Sequence, residues 1–375
     1  MRSIGIDIRM LGSQHGGIGR YVFELSKNLL EIDHEHKYLL FYNEDNCQRE
    51  DVEFFRKYQN AELVATRARH YSISEQTSFL KILNKYKPDL MHFPNFNMPL
   101  LYKGPFVVTI HDMAHHKISG HKKSHWLHFQ AYKKIIQEAA KKSRAIITVS
   151  EASKKDIVDY LQVVPRKIEV IYEGTSLPKD VPDEKVAEIK KKFLLSRPYF
   201  LFVGVLERKK NVVNLARGFD TLLKKYKYDM DMVVAGKVDK HYPDIKHHAL
   251  DISFRDHLVF TGYVNDDDLA ALYKGAYAFV SASMHEGFGL PGVEAMRFGL
   301  PLAVSNMDVF NEIYDNAAIY FNPMEPEDIA EKLDLLVKDK LYYRQLSKNA
   351  QERGMMFDWK KTAERTLKVY EEILV

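Results

Sequence analysis

The sequence predicts an α/β protein built from two parallel-sheet units. Three observations predict it. Short, continuously apolar runs alternate with longer amphipathic stretches from end to end. That alternation pauses once, near the middle, in a stretch of turn formers. The 375 residues, 46% of them hydrophobic and 28% charged, supply enough apolar material for two ordinary cores.

In the first half the candidate strands are Ser3–Ile8, Tyr38–Tyr42, Ala61–Ala65, Leu90–Phe93, Phe106–Ile110, Ala145–Val149 and Ile168–Ile171. Amphipathic helical patterns lie between them, at Ile18–Leu30 and Trp126–Ala140 for example. Strands that are apolar at successive positions are buried on both faces, and helical crossovers between them give a parallel sheet covered on both sides. Residues 173–183 are rich in turn formers and have no apolar period, so they read as a linker. The alternation restarts at Tyr199–Val203 and continues through Met232–Ala235, Leu258–Phe260, Tyr277–Val280, Leu302–Val304 and Ala318–Phe321. Helices are expected at Val212–Lys224, Asp266–Lys274, Pro291–Phe298 and Pro326–Val337, with a long amphipathic helix at Phe357–Leu374. The expected division is 1–177 and 184–356, two Rossmann-like, doubly wound domains. Ligands of such sheets bind at the carboxyl ends of the strands. Two facing domains enclose a cleft that excludes water.

The single cysteine, Cys47, excludes a disulfide framework and a cysteine metal cluster. No His or carboxylate cluster has metal-ligand spacing, so neither metal nor cofactor is expected. The N-terminal apolar stretch is short and broken by Asp7, and no run approaches the ~18 apolar residues of a spanning helix. A cytoplasmic location is expected, with a peripheral seat on the inner face of the cytoplasmic membrane as an option. Residues 1–175 carry 26 Lys+Arg against 20 Asp+Glu, whereas 176–375 carry 29 against 31. Within 115–144 lie eight Lys+Arg, one acidic residue and five histidines, interleaved with Trp126, Phe129 and Tyr132. This segment reads either as a basic face for anionic lipid or as a solvated helix with Trp126, Leu127 and Ile135 in the core. Nucleic acid is not an expected partner, since the net charge is only +4 and no nucleic-acid motif occurs.

The sharpest segment is His285-Glu286-Gly287-Phe288-Gly289-Leu290-Pro291-Gly292-Val293-Glu294-Ala295. It follows a predicted strand, and Pro291 suits the first turn of a helix. A Gly-rich loop entering a helix offers backbone N–H groups and the positive helix end to an anion. Glu286 stands on the loop and Glu294 about one turn into the helix. On residues alone they could also be a cap and a solvated helix position. A second element, Phe202-Val203-Gly204-Val205-Leu206-Glu207-Arg208-Lys209-Lys210-Asn211, ends a strand and sets three cations before a helix. Fixed cations stabilise a diphosphate leaving group in a dry site, although a bare basic turn is equally a solvated surface. Asn265, after Phe260-Thr261-Gly262-Tyr263-Val264, is placed to cap the helix starting near Asp266. In the first half, Gly16-Gly17-Ile18-Gly19-Arg20 follows a strand and opens a helix, as a phosphate-approaching turn does. It is not the G-x-G-x-x-G dinucleotide fingerprint. His111-Asp112 ends a buried strand, and His92-Phe93-Pro94-Asn95-Phe96 ends another. Ser150 reads as a helix cap.

The seven residues between Glu286 and Glu294, with the surrounding Glu-Gly-Phe-Gly-Leu-Pro-Gly-Val-Glu-Ala-Met, resemble the E-x7-E motif of retaining glycosyltransferases of the GT-B fold, the group 1 or family 4 enzymes. The resemblance extends over nearly the whole chain. It implies that Glu286 lies by the donor sugar, that Phe288, Gly289 and Leu290 offer backbone N–H groups, and that Glu294 takes the ribose hydroxyls. Lys210 aligns with the diphosphate-binding lysine. Lys209 stands where family members carry arginine, and Val205 where some relatives place one, so Arg208 and Lys209 both stay open as the second cation. Val264 belongs to the turn that reads the nucleotide base by backbone. The resemblance further implies that Gly16 and Gly17 approach the β-phosphate and that His111 contacts the donor sugar. Asp112 either orients His111 or contacts the acceptor, Arg20 either serves the acceptor or caps structure, and Asn95, with Pro94 and the aromatics beside it, reads as part of an acceptor-side wall. The opening Gly5-Ile6-Asp7-Ile8-Arg9 and the Gly16 loop look most like bacterial mannosyltransferases of surface-polysaccharide and O-antigen assembly. The expected reaction moves mannose from GDP-mannose, with retention, to a glycan or lipid-linked glycan. Alternatives are a UDP- or dTDP-sugar transferase, a nucleotide-sugar epimerase of the same two-domain fold, and a non-catalytic membrane-surface binding protein.

Overall fold

The computed structural model describes residues 2–12, 15–113 and 126–375. The chain forms two compact units, Met1–Gly174 with Asp358–Val375, and Thr175–Phe357.

Among its described residues the first unit holds seven parallel strands: β1 Ser3–Asp7, β2 Lys37–Asn43, β3 Ala61–Thr66, β4 Leu90–Phe93, β5 Phe106–Thr109, β6 Ala145–Thr148 and β7 Ile168–Val170. Their order is β3-β2-β1-β4-β5-β6-β7. Ile4 pairs with Tyr38 on one side and with Leu90 on the other. The helices are α1 Gly16–Ile32, α2 Arg49–Phe55, α3 Leu80–Tyr86, α4 Trp126–Lys142 and α5 Glu151–Leu161. Both sheet faces are covered. Ile4, Ile6, Leu25 and Leu29 pack in one layer. Phe41, Phe79, Met91, Phe93, Ile136 and Ala139 pack in the other. On α4 it is Ile136, not Ile135, that is fully buried, together with Ala139 and Ala140. The spacing of these three positions puts them on one helical stripe that misses residue 135. Residues 115–125 of the basic segment lie outside the described residues, as do the side chains of Trp126 and Leu127, the other two expected core positions.

The second unit has six parallel strands: β8 Tyr199–Val203, β9 Asp231–Ala235, β10 Leu258–Gly262, β11 Ala278–Ser281, β12 Leu302–Ser305 and β13 Ala318–Phe321. Their order is β10-β9-β8-β11-β12-β13. Its helices are α6 Asp183–Lys192, α7 Val212–Tyr226, α8 Ile245–Ala249, α9 Asp266–Gly275, α10 Leu290–Arg297, α11 Asp308–Tyr314, α12 Pro326–Lys338 and α13 Lys340–Gly354. Phe200, Phe202, Leu215, Phe219, Val234 and Ile329 centre one of its core layers. Two predicted caps are formed: Ser150 Oγ accepts from the Ser153 N–H at 3.0 Å, and Asn265 Oδ1 from the Asp268 N–H at 2.8 Å. The division between units falls at the start of the expected linker. Residues 175–182 go with the second unit, where Lys274 Nζ donates to Val181 O and Asp183 Oδ1, each at 2.6 Å.

The last helix, α14 Trp359–Leu374, belongs to the first unit. Asp358 caps it by accepting from the Lys360 N–H at 2.7 Å. Trp359, Ala363 and Tyr370 join the layer formed by β1 and α1. Thr362 Oγ1 donates to Tyr172 O at 2.8 Å. A Cβ on Gly174 would overlap the start of this helix, so glycine permits the close approach.

Candidate functional site

In both sheets the strand order reverses beside the first strand: β1 lies between β2 and β4, and β8 between β9 and β11. Open α/β sheets bind ligands outside the carboxyl ends of the strands at that reversal. The motifs that carry chemistry follow strands at or near it: β1, β4 and β5 in the first unit, and β8, β10 and β11 in the second.

In the second unit, three neighbouring strands run into glycine: β8 into Gly204, β9 into Gly236, and β10 ends in Gly262. Gly236 donates to Gly262 O at 2.9 Å, and a Cβ on it would overlap Gly204 O. Only glycine lets the chain ends lie this close. After Gly204, residues Arg208–Lys210 make a single 3-10 turn. Asn211, with φ +52°, then leads into α7, and its Nδ2 donates to Pro323 O at 2.7 Å. Asparagine tolerates this left-handed conformation better than most residues.

The three cations of the turn have different surroundings. Lys210 Nζ donates to Glu286 Oε1, and both side chains are 13% exposed. Lys209 Nζ lies 3.4 Å from Glu207 Oε1, and its carbonyl accepts from the Met284 N–H at 2.7 Å, which ties the cation turn to the glutamate loop. Arg208 is exposed. Burial alone would raise the Glu286 carboxyl. Lys210 and Lys209, with a hydrogen bond from Ser283, outweigh burial and hold it below the usual glutamate range.

The loop then enters α10 through Gly289, whose φ of +91° is left-handed. A Cβ there would overlap the Tyr314 hydroxyl and sit 2.8 Å from Phe310 Cε1. Tyr314 is buried, and its hydroxyl donates to Gly289 O at 2.6 Å, so the loop rests on a fixed ring. Phe288 is buried edge-on against Phe357 at 5.6 Å, so its ring belongs to the core under the loop. Leu290 is half-buried at the helix start. Glu294, 3% exposed, accepts from the Tyr273 hydroxyl at 3.0 Å. Glu286, Lys210, Lys209, Phe288, Gly289, Leu290 and Glu294 are thus gathered on the turns after β8 and β11. Val264, half-buried, follows β10 beside Tyr263, whose ring lies under Lys237 Nζ at 4.4 Å.

In the first unit, Gly16 and Gly17 begin α1, and a Cβ on either would meet nothing within 4 Å. Arg20 is half-buried on the same helix. His111 follows β5, and its side chain is 15% exposed. Its Nε2 donates to Pro94 O at 2.9 Å, and its Nδ1 lies 3.3 Å from Glu173 Oε1. Two acceptors on two ring nitrogens call for a proton on each. Burial acts to lower the His111 pKa, but Glu173 and Pro94 O reverse it, and the net direction is upward. Asp112 beside it is half-buried. His92 is a different case. It is fully buried, between the Tyr370 hydroxyl at 2.5 Å and Thr109 Oγ1 at 2.8 Å, and burial pushes it down to about 3. It is a neutral strut fastening α14 to the sheet. Asn95 is 8% exposed and spends its amide N–H groups on Tyr71 Oη and Asn97 Oδ1, both at 2.9 Å.

Several residues of the site escape sequence reasoning. Gly236 could have been found, because it ends an apolar run as Gly204 does. Glu173 reads as linker, since its contact with His111 is made across the fold. Tyr314 and Ser283 carry no local signal.

The family described as Glycosyltransferase Family 4 matches residues 15–177, and that described as Glycosyl transferases group 1 matches residues 185–353. The chain belongs to the group 1 glycosyltransferases. The chain is 29% identical over 238 residues to a serotype-specific mannosyltransferase, WbdA, of Escherichia coli, a match covering 61% of the chain and 29% of that protein. The chain thus spans less than a third of the length of this relative. It is 24% identical over 368 residues to O-antigen chain mannosyltransferase B of Escherichia coli, covering 94% of the chain and 95% of that protein. Among solved structures, Anabaena Alr3699/HepE in complex with UDP and glucose aligns with a TM-score of 0.78 at 14% identity, covering 99% of the chain and all of that one. The likeness shows a shared GT-B fold of two Rossmann-like units.

Proposed function

We propose that the chain is a retaining mannosyltransferase that moves mannose from GDP-mannose to a glycan or lipid-linked glycan in surface-polysaccharide assembly. The observation that carries the reading is the coupled Lys210–Glu286 pair on the Gly-lined turns of the second unit, with Glu294 one turn further along α10. Bond breaking places negative charge on the diphosphate. Lys210 has three N–H donors and spends one on Glu286, and Lys209 stands close enough to act on the same carboxylate. Together they supply the fixed cationic field that such a leaving group needs. Lys209, rather than the exposed Arg208, is the second cation in this reading. His111, donating from both ring nitrogens, contributes charge and not general-base chemistry. The acceptor proton then goes to the leaving phosphate oxygen.

Mannose as the sugar is supported by the two mannosyltransferase relatives. A UDP-sugar is the competing donor, supported by the UDP complex of the similar fold. Thermal unfolding with GDP, UDP, dTDP and ADP decides between them. A nucleotide at 100 times its dissociation constant adds about 2.7 kcal/mol. Stabilisation by GDP alone, absent in Glu294→Ala, is the expected result. Stabilisation by UDP alone overturns GDP-mannose, and stabilisation by none overturns the donor site.

A further inference from the structure

Two buried ionic groups stand at the carboxyl ends of the first sheet. In one, Arg9 lies between Asp7 Oδ2 at 2.6 Å and Glu75 Oε1 at 2.8 Å, with all three side chains buried. A guanidinium does not give up its charge, so this group is structural. In the other, Glu173 faces His111, which follows β5. Here the cation is a ring that can lose its proton, so the carboxylate beside it controls the charge.

Glu173 is 7% exposed and is pinned along the chain on both sides. Before it, the Ile171 N–H donates to Thr148 O of β6 at 2.8 Å, and Tyr172 O accepts from Thr362 Oγ1 of α14 at 2.8 Å. After it, Gly174 lies against the backbone of Asp358 and Trp359, where a Cβ would overlap both. The His111 ring is fixed as well. Its Nε2 donates to Pro94 O, its backbone carbonyl accepts from Ser153 Oγ at 3.0 Å, and the fully buried Tyr21 ring meets it edge-on at 4.7 Å. Tyr21 leans in turn on Trp359 at 5.9 Å. The last helix thus supports both partners of the pair. Among the described residues, the other ionisable groups near the ring are Asp112 beside it, His92 on β4 and Tyr21 on α1. Burial keeps His92 and Tyr21 uncharged, and Asp112 acts on the ring as a nearby charge, whereas Glu173 is hydrogen-bonded to it.

We infer that Glu173 is a positioning residue for the transfer, holding the His111 ring in one orientation with a proton on each nitrogen. The inference rests on the glycosyltransferase reading above, in which His111 contributes charge. Without the carboxylate, Nδ1 loses its acceptor. Burial then favours the neutral ring, with its one proton on Nε2 facing Pro94 O. Orienting His111, one of the two roles that the sequence leaves open for Asp112, thus falls to Glu173.

The test is the pH dependence of transfer from GDP-mannose to methyl α-mannoside by the full chain, by Glu173→Gln and by Glu173→Asp. In the wild type kcat should fall as pH rises through the raised His111 value, and in Glu173→Gln that fall should begin at lower pH. Slightly above neutral pH, kcat of Glu173→Gln should be about ten-fold lower, the loss of one charge-assisted hydrogen bond, with KM for GDP-mannose within about two-fold. The gap should close in mild acid, where the ring is protonated in both proteins. Glu173→Asp, which keeps the charge, should recover part of the rate. Thermal stabilisation by GDP should be the same in all three and reports an intact donor unit. A deficit equal at every pH, a rise in KM alone, or wild-type kcat in Glu173→Gln each overturns the positioning role. If the wild type transfers nothing, the transfer reading fails by itself. The NMR midpoint of His111, assigned by the resonance missing in His111→Phe, then decides the pair: a lower midpoint in Glu173→Gln upholds it, and an unchanged one overturns it.

Discussion

Replacing Lys210 by methionine removes the ammonium that faces Glu286 and leaves the rest of the turn in place. The Glu286 side chain, 13% exposed in the intact pair, then keeps Lys209 as the remaining cation acting on it. Breaking a buried pair from one side costs about 3–5 kcal/mol. The residual exposure and Lys209 bring the expected loss to the lower end, about 3 kcal/mol at pH 7. Glu286→Gln costs less, about 1 kcal/mol, because the lysine stem extends its charge toward water. The double variant should recover at least about 1 kcal/mol relative to the sum, as coupled partners do. The sign of the pH dependence follows from the depressed Glu286 carboxyl. Its contribution is present above the ordinary value of 4.5 and is lost as pH falls through the lower folded value. In Lys210→Met burial is opposed by less charge, so the deficit should shrink as pH is lowered from 7 toward 4.5. Urea unfolding of the four proteins at several pH values measures all of this, and turnover should fall ~10²-fold or more in Lys210→Met. Additive single losses below about 0.5 kcal/mol would refute the coupled pair.

Other variants probe the supports of the two sites. Gly289→Ala forces a side chain into a left-handed backbone and onto Tyr314, and should lower stability by about 2 kcal/mol or more in urea unfolding, because that ring is buried and cannot retreat. Arg9→Met strands Asp7 and Glu75, and about 3–5 kcal/mol should be lost at pH 7, with part regained as the pH is lowered and Glu75, whose carboxyl burial already pushes up, protonates. Glu173→Gln removes the charge that lifts His111. In the wild type the His111 contribution is complete below the ordinary 6.5 and is lost as pH rises through the higher folded value. In the variant, NMR titration of the imidazole should move its midpoint below the wild-type value. An unchanged midpoint would contradict the pairing.

Strands were the most legible part of the fold, and the physical reason is burial. Parallel strands covered on both faces must be apolar at successive positions, so Leu90–Phe93, Tyr199–Val203 and Ala318–Phe321 stand out unaided. Predicted strand ends differ from the observed ones by at most two residues. Helix α13 went unseen because it buries only Leu346, Ala350 and Gly354, too thin a stripe to rise above its polar surroundings. The donor-side motifs are local, a strand end, a glycine and a helix start within a dozen residues, and sequence spacing can display them. Glu173, Tyr314 and the Arg9–Glu75 tie act across the fold. Nothing in a linear pattern marks Glu173 as the partner of His111, and Arg9 reads only as one more cation after a strand until Asp7 and Glu75 close around it.

The central claim is that the Gly-lined turns of the second unit hold a nucleotide sugar and that the chain transfers its sugar with retention. The most direct measurement is NMR of the anomeric proton of the product formed from GDP-mannose and a methyl α-mannoside acceptor. The account predicts a new α-linked mannose whose formation is abolished in Lys210→Met. A β-linked product would contradict retention. Undiminished transfer by Lys210→Met would contradict the role given to the Lys210–Glu286 pair.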